Sequence, residues 1–278
     1  MRFSSKSRVG TTQCILALCF VLLVSLCHMV YAQQPSSNLV LYDNFDDERF
    51  LDPAKWSPYG ACFTWSVLEC VREIQEDRLR LAVRNYGATT SNEGIQYGPS
   101  ELHFTNPAPI KTIAAQLVVR RTTAVGCPAN TGEGSHAHAL LSGNFFNSGS
   151  GIANDDVQAF LILDRFSSDP EGVTSVEAFM HWQGQFFGGV GLGTVNVGQK
   201  IIAKLSWDQP NHQFVVSWTD VVTGGVSQTV MPYNISDIAP AAAPDKFVGV
   251  RTFAPNCIGA QHVFADMEAT FDRVWIGK

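Results

Sequence analysis

Asp156-Val157-Gln158-Ala159-Phe160-Leu161-Ile162-Leu163-Asp164 decides the fold class. Val157, Ala159, Leu161 and Leu163 recur at every second position. A strand gathers that period onto one buried face, whereas a helix scatters it around its circumference. The opposite parity carries Asp156, Gln158, Phe160, Ile162 and Asp164, so these side chains leave the core. Working outward, the same period predicts strands over 38–45, 72–74, 78–83, 100–104, 113–121, 137–146, 156–166 and 175–182. It continues over 200–207, 212–219, 226–231, 247–253 and 264–276. Glu76-Asp77 reads as a tight hairpin turn, and Asp208-Gln209-Pro210-Asn211 and Gly224-Gly225 as turns between strands. The glycine-rich 184–193 reads as a loop or bulged strand, and 238–244, which contains Pro240 and Pro244, as at most one short turn. No amphipathic helix, repeat or internal linker interrupts the pattern. An all-β sandwich of two antiparallel sheets is the economical solution.

Composition excludes two broad classes. With 45% hydrophobic and only 16% charged residues, the 278-residue chain has the apolar content that a disordered chain lacks. The formal charge of −6 provides no basic footprint, so no nucleic-acid partner is expected.

The N-terminus reads as an address. Arg2, Lys6 and Arg8 precede an apolar run from Cys14 to Cys27, and Val30-Tyr31-Ala32 forms a cleavage site before Gln33. This is the three-part order of a secretory signal peptide over 1–32, with a linker over 33–37 and one domain over 38–278. The rival reading is an uncleaved anchor over 11–32. Cleavage removes three basic and no acidic residues, taking the charge from −6 to −9, and leaves no membrane attachment. It also leaves four cysteines, Cys62, Cys70, Cys127 and Cys257. An even count in an exported chain implies two disulfides, with three possible pairings. Sequence proximity and loop composition favour Cys62–Cys70 and Cys127–Cys257.

The two ends of the domain carry a resemblance. Tyr42-Asp43-Asn44-Phe45, Leu51-Asp52-Pro53-Ala54-Lys55-Trp56 and the closing Ala269-Thr270-Phe271-Asp272-Arg273-Val274-Trp275-Ile276 resemble the concanavalin A-like lectin/glucanase superfamily. The resemblance implies a jelly roll whose first and last strands lie side by side, a concave face that carries the chemistry, and a structural calcium at Asp43 and Asp272. No other cofactor is implied. The glucanase branch places Glu-X-Asp-X-Glu on one central strand, so that alternate carboxylates line up beneath the sugar. The equivalent strand here offers Asp156, Gln158 and Phe160, and the motif is missing.

Strand parity then supplies candidate ligand-binding residues. Arg120, His138, Asn144, Asp156, Gln158 and Arg251 face out of the core on their strands, and His181 shares a face with Glu177 and Phe179. Trp65, in the loop between Cys62 and Cys70, adds a ring for stacking. Amide, imidazole, guanidinium and carboxylate groups on one face suit sugar hydroxyls. The sequence therefore reads as a secreted, extracellular or periplasmic, monomeric module that binds a polysaccharide or other surface glycan without cleaving it. One alternative is a polysaccharide hydrolase or lyase with displaced catalytic groups, with Glu177 the nearest second acid to Asp156. Another is a structural or adhesive envelope protein.

Overall fold

A computed structural model describes residues 38–46, 50–59, 67–127, 134–259 and 263–278. Residues 1–37, where the signal peptide and linker are expected, lie outside the described residues, as do Cys62 and Trp65. What remains is almost entirely strand, and every described pairing is antiparallel.

The first sheet runs β13 (Val226–Pro232), β12 (Gln213–Asp220), β11 (Lys200–Asp208), β6 (Thr112–Val125), β15 (Phe264–Gly277), β4 (Leu79–Tyr86) and β3 (Val67–Ile74). The long β15 pairs with β4 through its first half and with β1 (Val40–Asp43) through its second, with Val40 opposite Ile276. The ends of the domain are thus neighbours. The second sheet runs β10 (Gln185–Asn196), β9 (Val173–Trp182), β8 (Asp156–Phe166), β7 (His136–Asn147), β14 (Ala239–Pro255), β5 (Ile95–Phe104) and β2 (Trp56–Tyr59).

Alternation builds the core between the sheets. Leu117 and Val119 of β6, Leu81 and Val83 of β4, and Met267 and Phe271 of β15 meet Leu141, Val157, Leu161, Val176 and Val248 from the second sheet. The β3–β4 hairpin closes on Glu76-Asp77, both at positive φ, with Gln75 and Arg78 exchanging backbone hydrogen bonds. Two left-handed central residues give a turn whose twist matches the flanking strands. A disulfide joins Cys127 and Cys257 across 130 residues, with Cα atoms 6.1 Å apart. Cys70 is also disulfide-bonded, but Cys62 is not among the described residues.

Several elements exceed what alternation predicts. The glycine-rich segment forms β10, a sheet edge with two breaks in register against β9. The short β2 is a second edge, its Trp56 indole donating to Asp43 at 2.6 Å. The proline-rich 239–244 is no short turn but the start of β14, and the register to β7 breaks between Pro240 and Asp245. Prolines sit in that break, where the ladder asks for no donor.

Unusually for a sandwich, the outer face of the second sheet is also apolar. Leu140, Phe160, Ile162 and Phe247 form a buried cluster there, with half-buried Phe179 against it. A contiguous apolar patch outside a core marks a place where something binds.

Candidate functional site

The register of the second sheet fixes the site. One row across its outer face runs Arg251 of β14, His138 of β7, Asp164 of β8 and Ser175 of β9. The next row runs Glu101 of β5, Gly249, Leu140, Ile162 and Glu177. Phe160 and Phe179 pair one step further along, and Phe253, His136 and Phe166 bound the other side. From these rows Arg251, His138, Asp164, Ile162, Glu177, Phe160, Phe179, Phe253, His136 and Phe166 line a groove of about 620 Å³, together with Ile95, Phe186 and Phe187. That volume falls in the range of small-ligand sites.

The groove walls are rings in contact. Phe160 stacks on Phe179 at 4.8 Å, and Phe186, largely exposed on edge strand β10, meets Phe179 edge-on at 5.3 Å. His136 stacks on Phe253 at 4.3 Å, and His138 tilts against the same ring at 5.5 Å.

Two charged clusters meet in this wall, and only one is internally neutralised. Glu101 is 1% exposed, yet it lies on the outer face, where it accepts from the Arg251 guanidinium and from His103 Nε2 at 3.1 Å. Gly249 makes this possible: a Cβ there would stand 2.7 Å from Glu101 Cγ. Burial opposes a charged His103, but its hydrogen bonds to Asp245 and Glu101 outweigh burial and push it up to about 9. Arg251 also lies 5.0 Å over the Phe247 ring. Two cations therefore balance two carboxylates.

The second cluster has no such balance. His138 is 7% exposed, and neither ring nitrogen has a hydrogen-bond partner. Its burial, with Arg251 and His136 beside it, holds the imidazole well below the usual range, so it is neutral at physiological pH. Asp164, 4.0 Å from His138 Nδ1, accepts only from the backbone N–H of Arg165, at 2.8 Å. Burial pushes Asp164 up to about 7, helped by the like charges of Glu177 and Asp169. The Arg165 guanidinium turns away to the carbonyls of Phe166 and Asp169. Among the described residues, no cation pairs with Asp164 or Glu177 apart from neutral His138.

Of the residues singled out by parity, His138 and Arg251 line the groove, and the others do not. Asn144, Gln158 and His181 form a separate row on the same face. Gln158 stands six residues from Asp164, about 20 Å at the rise of a strand. There Asn144 donates to the Ala243 carbonyl at 2.9 Å and Gln158 to Ser142 Oγ at 3.2 Å. Asp156 is a structural clamp: it accepts from Asn147 Nδ2 and from the backbone N–H groups of Ala242 and Ala243, at 2.7–2.8 Å. Arg120 lies on β6 of the first sheet, donating to Thr270 Oγ1 at 3.1 Å, on the far side of the sandwich. Parity tells inward from outward, but not which sheet a strand joins.

Asp43 and Asp272 do not fit a calcium. The Asp43 carboxylate, buried, receives Phe45 N–H at 3.1 Å, the Lys55 ammonium at 3.3 Å and the Trp56 indole. Asp272 accepts from Gln116 and faces the Lys200 ammonium at 3.4 Å. Donors and cations occupy both Asp43 oxygens and one oxygen of Asp272, the positions a metal would need. His136 and His138 have no third ligand, and among the described residues no group of three metal-binding side chains occurs.

Parity placed Phe160 and Asp164 outside the core and Glu177 and Phe179 on one face without marking them as ligand-binding, and it did not single out Phe186, Phe253 or the adjoining Glu101. Asp164 was legible as outward-facing, but its partners come from three other strands. Glu101 was obscured because β5 begins at Ile95, well before the alternation becomes regular.

No family model matches the chain, and no curated protein does. Solved structures do. A pseudo β-1,3-glucanase of Mycobacterium tuberculosis is similar at 11% identity over 87% of this chain and 99% of its own, with a TM-score of 0.48. Lectin II from Ulex europaeus is similar at 11% identity over 81% and 95%, with a TM-score of 0.37. A Scytalido-glutamic peptidase is similar at 15% identity over 63% and 73%, with a TM-score of 0.36. Two packed antiparallel sheets, with the first described strand paired to the last, form a β-sandwich of the concanavalin A-like jelly-roll type.

Proposed function

We propose that this protein is an exported module that binds a carbohydrate in the groove on the second sheet without cleaving it. The observation that carries this reading is His138. A buried imidazole with two unpartnered nitrogens costs on the order of 1–3 kcal/mol per lost partner, unless a ligand supplies one. The groove asks for a ligand that is both polar and flat-faced. Sugar hydroxyls donate and accept, matching a neutral imidazole and a carboxyl, while the C–H face of a pyranose lies on aromatic rings. Phe160, Phe179 and Phe253 supply those rings. Export rests on the charged, apolar and small-residue order of 1–32.

One observation favours a catalytic reading of the same groove. Asp164 and Glu177 are diagonal neighbours on adjacent strands, within reach of one ligand bond. A carboxyl held at about 7 keeps its proton long enough to act as a general acid, with Glu177 as its partner. A single experiment separates the two readings. The protein is passed over a panel of immobilised polysaccharides, and retention and reducing-end release are both measured. Binding predicts retention without release, and a loss of about tenfold or more in affinity for His138→Ala. Release that disappears in Asp164→Asn would show an enzyme. Retention of no polysaccharide would refute both.

A further inference from the structure

The charge balance of the groove says which carbohydrate suits it. Arg251 and His103 are matched by Glu101 and Asp245, so that end of the wall is close to neutral. His136 and His138 face the opposite side of the groove, and His138 carries no charge at physiological pH. Asp164 and Glu177 remain without a cation among the described residues, and the negative charges of Glu177 and Asp169 help burial to keep a proton on Asp164 until a cation arrives. Aromatic faces flank these carboxyls: Phe160, Phe179 and Phe186 on one side, Phe166 and Phe253 on the other. A ring face attracts a cation, and more strongly where water is excluded. Unpaired carboxyls among aromatic rings therefore disfavour a uronic acid and leave a neutral sugar without a partner for the charge.

We infer that the groove selects an amino sugar with a free ammonium, placed between Asp164 and Glu177, with its ring face on the phenylalanines and a hydroxyl on His138. This rests on the carbohydrate reading above and adds the charge of the ligand to it. The acidic pair does not stand alone in pointing to a ligand, because the unpartnered, buried His138 opens into the same space. An ammonium seated there also favours the ionised form of Asp164, so the ligand and the carboxylate stabilise each other.

The test measures affinity of the protein at low salt and about pH 6, where surface charge is least screened and the sugar amine is protonated. The probes are a glucosamine pentasaccharide, its fully N-acetylated form, a glucose pentasaccharide, a uronic acid pentasaccharide and a lysine pentapeptide. The expected result is that the glucosamine oligomer binds about tenfold or more tightly than every other probe, as a charge-assisted hydrogen bond predicts. Glu177→Gln should abolish that preference, bringing the glucosamine-to-glucose affinity ratio close to one. Asp164→Asn, a second and isosteric variant, should weaken the preference too. Equal binding of charged and neutral saccharides would overturn the ammonium selection and leave the carbohydrate reading standing. A preference that survives in Glu177→Gln would overturn it as well. Lysine peptide binding as tight as the glucosamine oligomer would show a site that reads charge alone, against the proposal. Binding of no saccharide would refute this inference and the carbohydrate reading together.

Discussion

Asp164 concentrates the chemistry of the groove in one carboxyl, and its ionisation is also a stability term. Its folded value of about 7 lies above its ordinary 3.8. Between those values the folded state keeps a proton that the unfolded chain has released, so stability falls as pH rises through this window. Asp164→Asn removes the titration. Its stability relative to the wild type should therefore improve from about pH 4 to about pH 8, by about 2–4 kcal/mol at the full shift. Urea denaturation of both proteins at the two pH values measures this. An identical difference at both would show that Asp164 ionises normally. The outward orientation of Asp164 was legible from alternation along 156–164. Its environment was not, because the residues that crowd it, His138, Glu177 and Asp169, come from other strands and a loop. The same limit misplaced Asp156. Nothing in its own strand reveals that the backbone of 242–243 folds over it and saturates its oxygens.

At the scale of elements, β15 is the strand on which the first sheet depends. It pairs with β6 along its length, with β4 through its first half and with β1 through its second. Phe271, Val274 and Ile276 project from it into the core. Loss of one buried Phe commonly costs about 3–5 kcal/mol, a large part of the roughly 5–15 kcal/mol that stabilises a domain. Deleting 268–278 removes that buried Phe271, together with Val274 and Ile276, and the partner of β1. The truncated protein should show no cooperative melting transition by circular dichroism. A transition at the wild-type temperature would mean that the strand pairing contributes little. Most strands were readable because alternation and turn chemistry agree, as at Glu76-Asp77. The exceptions are informative. In β10, glycine at four positions empties the pattern, and in the first half of β14 alanine and proline do the same. Both are held by backbone pairing to a neighbour, which leaves no trace in the local sequence.

The whole molecule places one apolar, aromatic face outside its core, and this carries the account. The Cys127–Cys257 disulfide spans a separation of 130 residues that includes β7 to β14, and so most of the groove-bearing sheet. Bridges that close long loops constrain the unfolded chain most, at about 4–5 kcal/mol in the chain-entropy model. The fold class was legible in the patterning of the strands. The location of the site was not, since it required knowing that β5, β14, β7, β8 and β9 are neighbours in that order. The most direct test of the central claim is an amide chemical-shift map of the protein titrated with the glucosamine and glucose pentasaccharides. Saturable shifts are expected at 136–138, 160–164, 177–179, 186–187 and 251–253, and none around Arg120 and Thr270 on the opposite sheet. Saturable shifts confined to the Asn144, Gln158 and His181 row, or to the face bearing Arg120, would contradict it.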